Sequence, residues 1–296
     1  MVLVASELAT NLVKYAGGGR LIFSTLHEAG RKGLQIESLD EGPGIADLRK
    51  SVCDGYSTAG SLGVGLGAVN RLMDELKIRA RAKGGMKLVC RKWLREAVLP
   101  LVNSPLDFGA ASRAKAEDNG DDFVIKQWGA HALVGVIDGC GHGTLAHRAA
   151  RIARHYVEGH FDRPLGEIFS GVELACQGSR GVVMALLRFN WMQGEVIAAS
   201  VGNVEVRIFD AGQSLPVRVR RGILGVHAPR PLLTTLPWTR TSMAVLFSDG
   251  VSSRWGPEEV VPWAGLKADA MAQAVLRARG KTSDDATVLV VKQKIP

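Results

Sequence analysis

From about Leu106 onward the chain is a succession of short β-rich runs, and this texture limits what the region can become. The runs are Phe123–Trp128, Ala132–Ile137, Gly181–Phe189, Val196–Val201, Val204–Phe209, Ala244–Phe247 and Thr287–Lys292. Two helical stretches interrupt them, Thr144–Glu158 and Leu165–Gln177, and a third lies near Ala268–Arg279. Strand runs with grouped helices imply a β-sandwich flanked by helices.

The residues before Leu106 have a different pattern. A helix is expected over Leu3–Tyr15, with Leu8, Leu12 and Tyr15 on one stripe, and Gly17-Gly18-Gly19 stops it. Strands Arg20–Thr25 and Leu34–Leu39 follow, joined through Gly30 and Gly33. A helical spacing over Gly67–Glu75 precedes a hairpin that runs Lys77–Ala82, turns at Lys83-Gly84-Gly85 and returns through Met86–Lys92. Strands and helices intermix here as in an α/β unit. Pro100, Asn103, Ser104 and Pro105 mark a linker, so the chain divides into 1–96, a linker 97–105, and 106–296. The linker carries Val98, Leu99, Leu101 and Val102, which a purely flexible tether would lack, so it is expected to pack and give the domains a preferred orientation.

A length of 296 residues suffices for two such domains. Cys53, Cys90, Cys140 and Cys176 show no C-x-x-C spacing, which argues against a zinc site or a disulfide framework and fits a reducing cytoplasm. No apolar run reaches membrane-spanning length, and Met1–Ala5 lacks the basic flank of a signal peptide. A cytoplasmic location, away from membranes, is the expectation.

The formal charge is +8, concentrated in Lys77–Arg95. There Lys77, Arg79, Arg81 and Lys83 alternate with Ile78, Ala80 and Ala82, the period of a strand with one wet face. That face is either simply solvated or a dock for an acidic protein. No nucleic-acid-binding motif is visible, so nucleic acid is not an expected partner.

Two constellations carry chemistry. In the first, Glu7 and Asn11 share a helix face. A carboxylate there can accept a proton from an incoming hydroxyl, and an amide oxygen can ligate Mg²⁺. Asp40 opens the turn Asp40-Glu41-Gly42-Pro43-Gly44 after an apolar strand, placed to accept a hydrogen bond from an adenine amino group. Gly63, Gly65 and Gly67 let backbone amides approach phosphates closely. In the second, Asp121, Asp138, Asp249 and Asp284 each flank a strand-like run beside glycine or another small residue. Hard oxygen ligands favour Mg²⁺ or Mn²⁺, and two such ions suit hydrolysis of a phosphate ester. Gly139 lets its carbonyl approach a metal. Asp122 is an alternative to Asp121, and Asp285 a less favoured alternative to Asp284. His142 is read as the start of the following helix, Cys140 as a position the pattern leaves free, and Gly202-Asn203-Val204 as a turn between two core strands. Arg113 is a candidate contact for a substrate phosphate.

The first constellation, with Asp54-Gly55-Tyr56-Ser57-Thr58-Ala59-Gly60-Ser61-Leu62-Gly63 and Arg71-Leu72-Met73-Asp74-Glu75, resembles the GHKL ATPase superfamily over residues 2–93, in particular the RsbT-type anti-sigma-factor serine kinases. That resemblance implies ATP with Mg²⁺ as cofactor. It implies Glu7 as general base, Asn11 on Mg²⁺, Asp40 on adenine and the glycine loop over the triphosphate. The implied substrate is a serine or threonine of a small STAS-domain antagonist. Family members carry a strand and a helix before the Glu/Asn helix, where this sequence begins, so exposed apolar surface and an open sheet edge are expected.

Asp138-Gly139-Cys140-Gly141-His142-Gly143 after Leu133–Ile137, joined to Ser248-Asp249-Gly250-Val251 and Asp284-Asp285-Ala286-Thr287, resembles the PPM phosphatases, within them the SpoIIE and RsbX branch, over about 106–292. Here the resemblance implies that Asp121, Asp138, Gly139, Asp249 and Asp284 hold a pair of Mn²⁺ or Mg²⁺ ions, with Asp138 bridging.

The expectation is therefore an α+β chain: a GHKL-type α/β two-layer sandwich followed by a PPM-type β-sandwich flanked by helices. Its implied role is a bifunctional switch on STAS-domain anti-sigma antagonists or stressosome-like proteins. One alternative is a phosphatase alone, with the first domain as a nucleotide-sensing or docking module. Another is a first domain that only sequesters a regulator.

Overall fold

The computed structural model describes residues 2–28, 31–44, 65–81, 84–94 and 103–294. The chain falls into two compact units, Met1–Ala97 and Val98–Pro296. The linker at 97–102, Gly63 with the stretch before it from Asp54, and the turn residues Gly30 and Lys83 lie outside the described residues.

In the first unit, helix α1 (Val2–Ala16) buries Val4, Leu8 and Leu12, one turn apart, while Tyr15 is exposed. The expected stripe thus shifts toward the N-terminus. The core it feeds gathers Val4 and Leu8 with Ile36, Val69 and Met73, and the last turn of α1 lies beyond that cluster. Gly17 ends the helix at φ +70°, and the Gly18 amide donates to the Leu12 carbonyl. Strands β1 (Arg20–Glu28) and β2 (Arg31–Leu39) pair antiparallel along their full length. Gly33 is thus a strand residue rather than part of a loop. A Cβ there would stand 2.7 Å from the Trp93 ring, so the close approach explains the glycine. Helix α2 spans Gly65–Leu72, two residues earlier than expected, and Glu75 already belongs to strand β3 (Glu75–Ala80). With β4 (Met86–Trp93) the sheet order is β1-β2-β4-β3. Ile22 and Phe23 on edge strand β1, and Val2, Leu3 and Val13 on α1, are exposed.

The second unit stacks two sheets. One runs β11 (Gln213–Leu215), β10 (Glu205–Asp210), β14 (Met243–Phe247), β15 (Ala286–Gln293), β5 (Leu106–Arg113). The other runs β12 (Val219–Arg220), β9 (Glu195–Val201), β8 (Val182–Asn190), β7 (His131–Gly139), β6 (Asp121–Trp128), and β13 (Thr234–Pro237) also pairs with β9. Between the sheets Val134, Val136, Ala185 and Leu187 meet Ile208, Ala244, Leu246 and Leu289. Outside, helices α3 (Thr144–Gly159) and α4 (Leu165–Ala175) cover one sheet through Ala149, Ala153, Val157 and Phe169. On the other side α6 (Ala268–Arg279), which follows the short α5 (Pro257–Val260), applies Met271, Ala272 and Val275. The four layers explain why β7, β8 and β15 read as unbroken apolar runs, since both faces of each are covered. Strand β5 escaped the sequence reading because Asp107-Phe108-Gly109-Ala110-Ala111-Ser112 carries little β-propensity. Its Gly109 lies where a Cβ would stand 2.1 Å from the backbone of α6.

Candidate functional site

The packing of the sheets brings the motif aspartates to one end of the sandwich. Asp121 opens β6 and Asp138 nearly closes β7, and the two are direct cross-strand partners. Like charges in that position destabilise a sheet, so the pair calls for a compensating role. From the second sheet, Ser248 and Asp249 follow β14, and Asp284 and Asp285 precede β15, its antiparallel neighbour. One hydrogen-bond chain joins the sheets: Ser248 Oγ donates to Asp121 Oδ2 at 2.6 Å and accepts from the Thr287 amide at 3.0 Å. The carboxylates line a cleft of about 620 Å³, with Cys140, His142, Asn203, Lys115 and Arg221 on its walls.

Within each acidic doublet the hydrogen bonds separate two jobs. Asp285 is buried and holds the Lys115 amide at 2.7 Å and the Gly120 amide at 2.9 Å, one on each oxygen. It ties the β5–β6 loop to the start of β15. Asp284 spends one oxygen on the Asp285 amide and faces the cleft half-buried. Asp122 turns away and receives Arg154 of α3 at 2.9 Å, whereas Asp121 lines the cleft.

Gly139 has a role the sequence did not reveal. A Cβ on it would lie 2.1 Å from the Ala146 carbonyl oxygen, so only glycine lets α3 sit against the end of β7. Gly141 and Gly143 take φ +91° and +74°, turning the loop into α3. His142 belongs to that loop, exposed on the cleft wall, and the helix begins at Thr144. The turn Gly202-Asn203-Val204 connects β9 and β10, and Asn203 also donates to Asp249 Oδ2 at 2.7 Å. Arg113 donates to the Lys281 carbonyl at 2.6 Å and does not line the cleft.

The electrostatics follow from crowding. Burial, reinforced by Asp121, Asp249, Asp284 and Asp285, pushes the Asp138 carboxyl up to about 9. Burial raises Asp121 to about 7 against the pull of its Ser248 and Thr287 hydrogen bonds, and it also raises Asp249. Cys140 is raised first by burial and then by Asp138 and Asp249, which makes its thiol a poor nucleophile. Among the described residues no three acidic, His or Cys side chains are already drawn around one point. The donors on offer, carboxylate oxygens and the Gly139 carbonyl, fit a hard divalent cation.

In the first unit, Glu7 and Asn11 stand one turn apart on α1, both half-buried. Asp40 is buried at the end of β2, and its Oδ1 accepts from the Gly42 amide at 2.9 Å and the Met86 amide at 3.0 Å. Its Oδ2 has no partner among the described residues. Gly42 packs on Ala16, and Gly44 has φ +81°. Arg81 donates to the Asp40 carbonyl at 2.7 Å. Gly65 and Gly67 occupy the first turn of α2 instead of a loop.

The second unit is a PPM-type serine/threonine phosphatase domain by fold and by its acidic cleft. Residues 129–294 match the model of Stage II sporulation protein E (SpoIIE), and the chain belongs to that family. Residues 1–92 match the histidine kinase-like ATPase domain. Over 90 residues the chain is 48% identical to the serine/threonine-protein kinase RsbT of Bacillus subtilis (strain 168), covering 30% of this chain and 68% of RsbT. A solved structure of the bacterial stressosome, "a modular system that has been adapted to control secondary messenger signaling", is similar at 29% identity and TM-score 0.60, over 63% of this chain and 99% of that one. RsbX in complex with magnesium shares the fold at 17% identity and TM-score 0.58, over 74% of this chain and 100% of that one. The chain thus joins an RsbT-like kinase domain to a PPM phosphatase domain. Among the described residues no helix is long and apolar enough to cross a membrane.

Proposed function

We propose that this chain is a bifunctional switch that removes and adds phosphate on serine or threonine of STAS-domain regulators, in a stressosome-like or sigma-factor pathway in the cytoplasm. The observation that carries the reading is the cleft: carboxylates from four strand ends meet there, on the same polypeptide as a domain 48% identical to RsbT.

In the phosphatase unit Asp121, Asp138, Asp249, Asp284 and the Gly139 carbonyl would hold two Mn²⁺ or Mg²⁺ ions. Such ions lower the pKa of water and neutralise phosphoryl oxygens. The chain's own groups supply the positioning. Ser248 fixes Asp121, and Asn203 fixes Asp249. Asp285 closes the loop that carries Lys115 to the cleft wall. In the reaction a water oxygen bonds to phosphorus, the bond to the serine Oγ breaks, and a proton goes to the departing alkoxide. Phosphoserine hydrolysis should require added Mn²⁺ or Mg²⁺, and Asp138→Asn or Asp249→Asn should lower the rate by a factor of about 100 or more. Undiminished turnover in excess EDTA overturns this half.

In the kinase unit Glu7 would take the proton of the incoming hydroxyl, Asn11 would hold Mg²⁺, and Oδ2 of Asp40 would accept from the adenine amino group. The first turn of α2 holds Gly65 and Gly67, and the amides of a helix's first turn, which lack intrahelical partners, would meet the phosphates. ATP binding followed by calorimetry should weaken about tenfold or more in Asp40→Asn, where one oxygen becomes an amide donor. Transfer of labelled phosphate from ATP to a STAS-domain protein should stop in Glu7→Gln. A docking or nucleotide-sensing role for the first unit is the second reading, favoured by exposed Ile22 and Phe23 on edge strand β1. ATP binding without phosphoryl transfer supports it.

A further inference from the structure

The segment Val217-Arg218-Val219-Arg220-Arg221-Gly222 has no part in the chemistry above, yet it ends in the cleft. Arg221 and Gly222 line that cleft. Arg218, Arg220 and Arg221 are exposed, and none has an ion-pair partner among the described residues. Several cations elsewhere do have carboxylate partners. Lys77 and Lys87 pair with Glu75 and Glu37, and Arg154 is shared by Asp122 and Glu158. In the hairpin Lys77–Lys92, which the sequence marked as the densest basic stretch, Lys77, Lys87, Arg91 and Lys92 each meet a carboxylate. Beside the cleft, the β12 segment adds three exposed arginines without an ion-pair partner among the described residues.

Its position is fixed at both ends. Val219 and Arg220 pair in parallel with Ser200 and Val201 of β9, and the Arg220 carbonyl accepts from the Gly202 amide at 2.8 Å. The next residue, Asn203, holds Asp249. Beyond the arginines Leu224 exchanges both backbone hydrogen bonds with Val182, which faces Gly139 across β7–β8. The arginine row is thus tied between the turn that orients Asp249 and the strand end that carries Asp138. β12 is also an edge strand, with one side open to another extended chain.

We propose that this row reads the substrate: the phosphatase unit prefers a phosphoserine or phosphothreonine flanked by acidic residues, held in extended form along β12. The proposal rests on the phosphatase reading of the same cleft. Arg221 and Lys115 meet the phosphate at the cleft wall, and Arg220 and Arg218 meet carboxylates further out. A strand rises about 3.3 Å per residue, so Arg218 to Arg221 spans about 10 Å. Acidic side chains one to four residues from the phosphorylated residue match that reach. The charges face water, so the preference is expected in KM and at low salt.

The test uses the full chain with Mn²⁺ and phosphoserine peptides that differ only in flanking residues: Asp and Glu, Asn and Gln, or Lys. para-Nitrophenyl phosphate serves as a substrate without flanks. The acidic peptide should show about tenfold higher kcat/KM than the lysine peptide, mostly through KM, and the gap should close as salt rises. The variant R218Q/R220Q should flatten the preference and R218E/R220E invert it, both with unchanged para-nitrophenyl phosphate turnover. Fluorescence anisotropy of the same peptides gives affinities independent of turnover, so an inactive cleft and an unselective one are told apart. Equal kcat/KM and affinity across the peptides overturns the proposal, as does a preference that survives both double variants. Tighter binding of a random single-stranded RNA than of the acidic peptide overturns it as well.

Discussion

Asp284 and Asp285 are adjacent, both acidic and both at the cleft, yet they do different things. Asp285 satisfies two backbone amides across 170 and 165 residues of sequence, while Asp284 presents its carboxylate to the site. Removing a hydrogen-bond acceptor from a buried amide costs more than removing a solvated one, and charged acceptors are the strongest. Asp285→Ala should lower stability by about 2–3 kcal/mol in urea unfolding. Asp284→Ala should leave the urea midpoint nearly unchanged, or raise it without metal because it removes one charge from a crowded cluster, while it abolishes metal-dependent turnover. Equal stability losses in the two variants would mean that the doublet acts as one unit.

At the level of elements, the glycines of the site act as spacers between secondary structures. Gly139 admits α3 to the end of β7, and Gly250 has the Asp285 carbonyl oxygen 1.7 Å from where a Cβ would be. The sequence argument for Gly139, a carbonyl free to reach a metal, is joined by this packing requirement. Gly139→Ala forces α3 outward, and overpacking of this kind costs about 1–3 kcal/mol. Thermal unfolding should show that loss even in EDTA, where a defect confined to metal binding is silent. In the first unit, Arg81, exposed just after β3, steadies the Asp40 turn through its carbonyl. Arg81→Ala should weaken ATP binding about threefold or more, the loss of one charge-assisted hydrogen bond, and titration calorimetry reads it directly.

For the whole molecule, two units with separate cores predict separate ligand-linked stabilities. A ligand that binds only the native form stabilises by about 2.7 kcal/mol at a hundredfold excess over Kd. In scanning calorimetry Mn²⁺ should raise the transition of the second unit, and ATP with Mg²⁺ that of the first. A single transition raised equally by either ligand would show that the units unfold as one cooperative body.

The sequence by itself determined the two-part texture, most strand and helix runs of the second unit, and the acidic motifs at strand ends. These are local properties: strand length, helical spacing and Asp-Gly turn chemistry are written within a few residues of one another. It missed β5, β11, β12 and β13, whose residues look like loop until a neighbour strand pairs with them. It preferred Asp121 and Asp284 over Asp122 and Asp285 without showing what the other member of each doublet holds. It did not find Ser248, Asn203, Lys115 or Arg221 as site residues. Only the tertiary structure decided those, because each depends on a partner far along the chain. Ser248 meets Asp121 across 127 residues, and Asn203 meets Asp249 across 46. Such pairings are set by which strands lie side by side once the apolar faces are buried.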